Sequence, residues 1–153
     1  MDHSHDDSLS RVALMATVHC LTGCAIGEVL GMIIGTAAGF SNAATIALSI
    51  VLAFVFGYGL TSLPLIRSGM APRQVAPIAL ASDTFSITLM EIVDNAIIIV
   101  IPGALAAGLG DPLFWGSLAF SLVVAGMAAF PLNRWLISRG KGHAVVHQAH
   151  AHH

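Results

Sequence analysis

Long apolar runs separated by short polar turns dominate the chain. Four of them reach the roughly 20 residues that a helix needs to cross a hydrocarbon core of about 30 Å. The first runs from about residue 12 to 40 and ends at "GFSN", where Ser41 or Asn42 can cap the next helix. The second covers 43–66 and stops at the polar, Gly- and Pro-containing "RSGMAPRQ". The third lies within 75–109, more than one straight span needs, with Pro77 and Pro102 shaping its ends or kinking it. "GLGDP" makes the next turn, with Asp111 as cap and Pro112 at the first helical position, and the fourth span covers 112–137. Trp115 and Trp135 stand near its two ends, as interfacial anchors do. The pattern predicts an all-α integral membrane bundle of four transmembrane helices over residues 11–139. A polar His/Asp tail, 1–10, precedes it and a His-rich tail, 140–153, follows.

Composition agrees. Of 153 residues, 56% are hydrophobic and 9% charged, and a mean hydropathy of +0.85 lies outside the soluble range. The net charge of -2 includes no basic cluster, so nucleic acid is not an expected partner; the bilayer and small ions are. Two cysteines cannot form a disulfide framework for a chain this long. The opening "MDHSHDDSLS" is acidic and polar where a cleavable signal would carry positive charge, so the first helix is expected to act as its own insertion signal.

Charge also orients the spans. Arg11 precedes the first span, Arg67 and Arg73 occupy the second loop, and Arg134, Arg139 and Lys141 lie at the C-terminal end. With four spans, all six basic residues fall on one side, which the positive-inside rule makes cytoplasmic together with both termini.

Within the spans lie Glu28, Asp83, Glu91 and Asp94, with no Lys or Arg mid-span to pair with them. Bare carboxylates are not tolerated in hydrocarbon, so they must be protonated, hydrated or neutralised by a bound cation. Cys20, Cys24 and Glu28 recur every four residues and form one stripe, extended by Met32 and flanked by His19. Asp83, Ile87, Met90, Glu91 and Asp94 share a face of the third span, with Asn95 at its edge. A composite site between spans one and three follows if those helices touch. His19, Cys20, Cys24, Glu28, Glu91 and Asp94 are then the candidate metal ligands, with Met15, Met32, Asp83 and Met90 as weaker ones. Thiolate and imidazole suit a soft or borderline ion, copper first and zinc second. The structural alternative treats the thiols as packing residues and His19 as bonded to a backbone carbonyl. For Asp83, "ASDTF" also reads as a capped helix start. Tyr58, Thr61, Ser117 and Ser121 are expected to make interhelical hydrogen bonds.

Gly23, Gly27, Gly31, Gly35 and Gly39 form a ridge of small residues that admits a close neighbour, from the same chain or a second copy. A homo-oligomer is expected through this ridge or another helix face, because four spans leave little room for a pathway in one chain. The remaining histidines fall in the tails, "DHSHDD" and "HAVVHQAHAHH", which can collect zinc, copper or nickel.

The run "HCLTGCAIGE", with its glycine-rich span, resembles a family of small bacterial membrane proteins of unknown function. The likeness covers most of Arg11 to Arg139, and His19-Cys20-x3-Cys24-x3-Glu28 is its most specific part. The resemblance implies a multi-pass protein of four helices in the bacterial inner membrane and emphasises these positions, without supplying a substrate. The expected function is binding and transport of a transition-metal ion, possible coupling to protons included. The alternatives are a proton or alkali-cation carrier using the carboxylates, and a non-transporting metal-sensing or assembly subunit. No nucleotide loop or nucleophile triad is visible, and no enzyme activity is expected.

Overall fold

The computed structural model describes residues 3–139. These are 88% helical with no strand among them. Four long helices follow one another: α1 (His3–Ala38), α2 (Asn42–Arg67), α3 (Pro72–Val100) and α4 (Pro112–Ser138), with a short 3-10 turn at Ala104–Ala106 between the last two. Helices α1, α2 and α4 are long and apolar enough to cross a membrane.

Local chemistry sets the ends. Gly39 at φ +69° closes α1, and the Phe40 amide reaches back to the Gly35 carbonyl at 2.9 Å. Ser41 caps α2 by accepting from the Ala44 amide at 3.3 Å. Asp111 caps α4 by accepting from the Leu113 amide at 2.9 Å, and Pro112 takes the first helical position. Helix α1 already begins at His3, within the polar segment 1–10. No breaker interrupts it, and Asp6 and Asp7 favour a helix N-terminus. The third run does not continue to 109: α3 ends at Val100, and Pro102 and Gly103, at φ +84°, turn the chain into the 3-10 segment. The tail 140–153 lies outside the described residues.

Each helix packs against the next, and α4 packs back on α1, closing a bundle; α1 and α3 also touch across the diagonal. The α1–α2 seam is the glycine ridge. A Cβ added at Gly23 would stand 2.7 Å from Gly57 Cα, and one at Gly27 would stand 2.6 Å from Ala53 Cα. Gly31 and Gly35 face Ser49 and Thr45 in the same way. Gly39 has left the ridge for the turn, where nothing lies within 4 Å. The ridge is therefore filled by α2 of the same chain, and a second copy would have to use another face. Large apolar side chains such as Val55, Phe85, Ile92, Phe120 and Met127 are exposed, as lipid contact permits.

The end of the bundle nearest the arginines carries a buried polar clamp. Asn133 Nδ2 donates to Thr17 Oγ1 at 2.9 Å, and the Thr17 hydroxyl donates to the Ala13 carbonyl at 2.8 Å. A Thr17→Ala, Asn133→Ala double-mutant cycle, read by thermal unfolding in detergent, is expected to give a coupling of about 0.6 kcal/mol. A coupling of zero would deny that the bond is formed.

Candidate functional site

On α1 the glycine ridge and the thiol stripe are one residue apart, which turns them about 100° from each other around the helix. One faces α2 and the other faces α3. The structure thus brings together much of what the spacing suggested. Cys24 lies against Glu91, Glu28 lies against Asp94 and near Glu91, and Cys20, a turn lower, lies beside Ser86 and Asp83. Exposure falls from 9% at Glu28 to 4% at Glu91 and 1% at Asp94, so the three carboxylates are interior.

Their polar contacts are incomplete. Ser121 of α4 donates to Asp94 Oδ1. Asn95 Nδ2 donates to Glu91 Oε2 at 3.3 Å and to the Glu91 carbonyl at 2.9 Å. Glu28 Oε1, Glu91 Oε1 and Asp94 Oδ2 are buried with no hydrogen-bond partner among the described residues. Three orphaned oxygens on three neighbouring carboxyl groups are an acceptor set with nothing to accept, an arrangement that protons or a cation would relieve.

A cavity of about 270 Å³ reaches Glu28, at the edge of this cluster, from one end of the bundle. Its mouth lies between Phe40 and Asn42 of the α1–α2 turn and the loop at Ala104–Gly108, and Glu28 and Asn95 line its wall. The space accommodates several water molecules beside polar groups able to hold them. Toward the other end, Ile87 and Met90 are fully buried and pack with Cys20, Cys24, Ala53, Ala125 and Ala129. The cluster therefore has an aqueous approach on one side and a packed apolar layer on the other.

Other candidates lie apart. His19 is exposed, and its Nε2 stands 3.2 Å from the Leu60 carbonyl of α2. Leu60 is four residues before Pro64, which has no N–H, so that carbonyl lacks its helical donor and the imidazole supplies one. Met15 is 59% exposed. Met32 lines the cavity, and Met90 is in the core beside Cys20 and Cys24. Asp83 is not a helix cap: it sits in the middle of α3, buried. Among the described residues, no three His, Cys, Asp or Glu side chains are arranged to hold a metal ion.

Two of the hydroxyl groups bond between helices, Ser121 as above and Tyr58 to Thr84 Oγ1 at 2.8 Å. Ser117 instead donates within α4, to the carbonyls of Leu113 and Phe114 at 2.7 and 3.0 Å. The sequence reading passed over Ser86, although it lies three residues after Asp83 on the same helix face, and the loop residues that frame the cavity mouth. The periodicity signals the former; no pattern signals the latter.

Residues 10–142 match the model of one protein family, described as a domain of unknown function, DUF4396. No curated protein and no solved structure matches the chain.

Proposed function

We propose that this chain, which belongs to the DUF4396 family, is a membrane carrier that binds protons at Glu28, Glu91 and Asp94 and passes them across the bilayer. Helix α3 is read as the fourth span. At 1.5 Å per residue its 29 residues extend about 44 Å, and what lowers its hydropathy is the set of acids it turns inward. By the positive-inside rule both termini and the α2–α3 loop are then read as cytoplasmic, with the cavity mouth on the other side.

The observation that carries the reading is the trio of buried, neighbouring carboxylate oxygens without partners among the described residues, of which Glu28 opens on a cavity. No Lys or Arg lies in residues 12–66 or 74–133 to neutralise them. Charge loaded from the mouth would neutralise the cluster, and release to the other side would restore it. This moves the weight from the thiols to the acids, because His19 serves a backbone carbonyl and Cys20 lies a turn below.

Full-length protein in liposomes provides the test, with an internal pH dye and an imposed potential. Proton flux should survive Cys20→Ser with Cys24→Ser and fall about tenfold or more in Glu28→Gln. Wild-type protein without flux would overturn the carrier reading.

A transition-metal substrate remains the second reading, favoured by the contact of the Cys24 thiol with Glu91. One thiol among carboxylates suits zinc better than copper(I). Near-stoichiometric zinc or copper after anaerobic loading, lost in the double cysteine variant, would place it first.

A further inference from the structure

Polarity does not stop at the three carboxylates. Asp83 lies on the buried face of α3 that carries Asp94, with Ser86 and Glu91 at its opposite edges, and Asp83 precedes Glu91 by eight residues, about 12 Å along the helix. Both are buried; Ser86 is fully enclosed, at 0% exposure, and its Oγ has no hydrogen-bond partner among the described residues. Cys20 and Cys24 of α1 pack with Ile87 and Met90, which lie between Asp83 and Glu91 along α3. Among the described residues, groups with ionisable or exchangeable protons at this level include Asp83 and Ser86 of α3, Cys20 of α1, Thr84, bonded to Tyr58 of α2, and, one turn further on, the Thr17–Asn133 pair of α1 and α4. Helix α4 adds Ala125 and Ala129. Ile87 and Met90 fill the remaining space, so water from the mouth meets an apolar layer here while the side-chain file continues through it.

We propose that Cys24, Cys20 and Ser86 relay a proton from the outer carboxylates to Asp83, which is the inner station of the path. The proposal rests on the carrier reading and deepens it. The O–H bond of the Glu91 carboxyl breaks and its proton bonds to the Cys24 sulfur as that thiol's own proton passes to Cys20. The displaced Cys20 proton bonds to Ser86 Oγ, and the Ser86 hydroxyl proton bonds to the Asp83 carboxylate. Glu91 ends as carboxylate, ready to be reloaded from the mouth; Asp83 ends protonated; both thiols and the hydroxyl are restored. A group at positions 20 and 24 that can both give and take a proton is required, and serine meets that requirement where alanine does not.

The test is proton flux through the full-length protein in liposomes, with carbodiimide labelling of Glu91, located by mass spectrometry, as a readout of the outer cluster. Asp83→Asn should lower flux about tenfold or more while Glu91 is still labelled, and Asp83→Glu should restore part of it. Cys20→Ala with Cys24→Ala should lower flux likewise, where the paired serine variant conducts. Wild-type flux in Asp83→Asn would overturn the inner station and leave the carrier reading standing. Loss of Glu91 labelling together with flux would overturn it too, by making Asp83 a support of the outer cluster. Equal flux in the alanine and serine pairs would overturn the thiol relay. Wild-type protein that carries no protons removes both readings.

Discussion

Glu91→Gln is expected to lower proton flux by about a hundredfold while the purified protein unfolds at the wild-type temperature or above it. Both halves follow from the same burial. Glu91 is 4% exposed, one of its oxygens has no partner among the described residues, and the other accepts from Asn95 at 3.3 Å. In such surroundings the ionised form carries a desolvation cost that no neighbouring cation offsets. Glutamine has nearly the same volume, keeps an oxygen for Asn95, and offers its amide N–H groups to the carboxyl groups of Glu28 and Asp94. What it lacks is a proton to release. A residue present for packing would show the opposite signs, with unfolding at lower temperature and flux retained. Thermal unfolding followed beside flux on the same preparation separates the two.

Gly27→Leu should leave little folded protein at all. The position is closed by backbone: a Cβ there meets Ala53 Cα at 2.6 Å and Ala53 Cβ at 2.9 Å, so helix α2 itself would have to move away. Membrane helices gain little from excluding water and depend on close packing along their seams, and parting this one disrupts the contacts at Gly23, Gly31 and Gly35 together. The expected cost is about 3 kcal/mol or more, seen as loss of the monodisperse peak in size-exclusion chromatography. Gly59→Ala is the control. Nothing lies within 4 Å of that position, and the variant should elute as wild type does.

Much of this was legible in the spacing of a few residues. The period of four from Cys20 to Glu28 placed three side chains on one stripe, and the acids of α3 on a matching face, because helical geometry fixes angular position from sequence alone. Whether two stripes meet depends on bundle closure, which no single helix encodes; here α1 and α3 touch across the diagonal and the stripes converge. His19 shows the limit differently. Adjacency to Cys20 suggested a shared ligand set, but neighbours in a helix point about 100° apart, and the imidazole answers a vacancy that Pro64 makes in another helix. "ASDTF" carried a cap signature, yet the helix begins eleven residues earlier, at Pro72, because burial of the face that holds Asp83 outweighs the local preference. Gly39 shares the spacing of the ridge and not its role, since the chain has already turned at φ +69°. The loop at Ala104–Gly108 had no periodic pattern to read, and its place over the cavity is set by where the helices beside it end.

The interior prolines have a mechanical consequence. Pro64, Pro77 and Pro131 lie in α2, α3 and α4, all toward the arginine-bearing end, and each removes one rung from the backbone ladder of its helix. The glycine seam runs along α1 from Gly23 to Gly35, against residues 45–57 of α2, and stops short of Pro64. Stiffness is thus graded along the bundle: the half beside the cavity is clamped by backbone in contact with backbone, and the opposite half is softened in three helices of four. Bending would concentrate beyond the layer of Ile87 and Met90, which therefore adjoins the most compliant part of the fold.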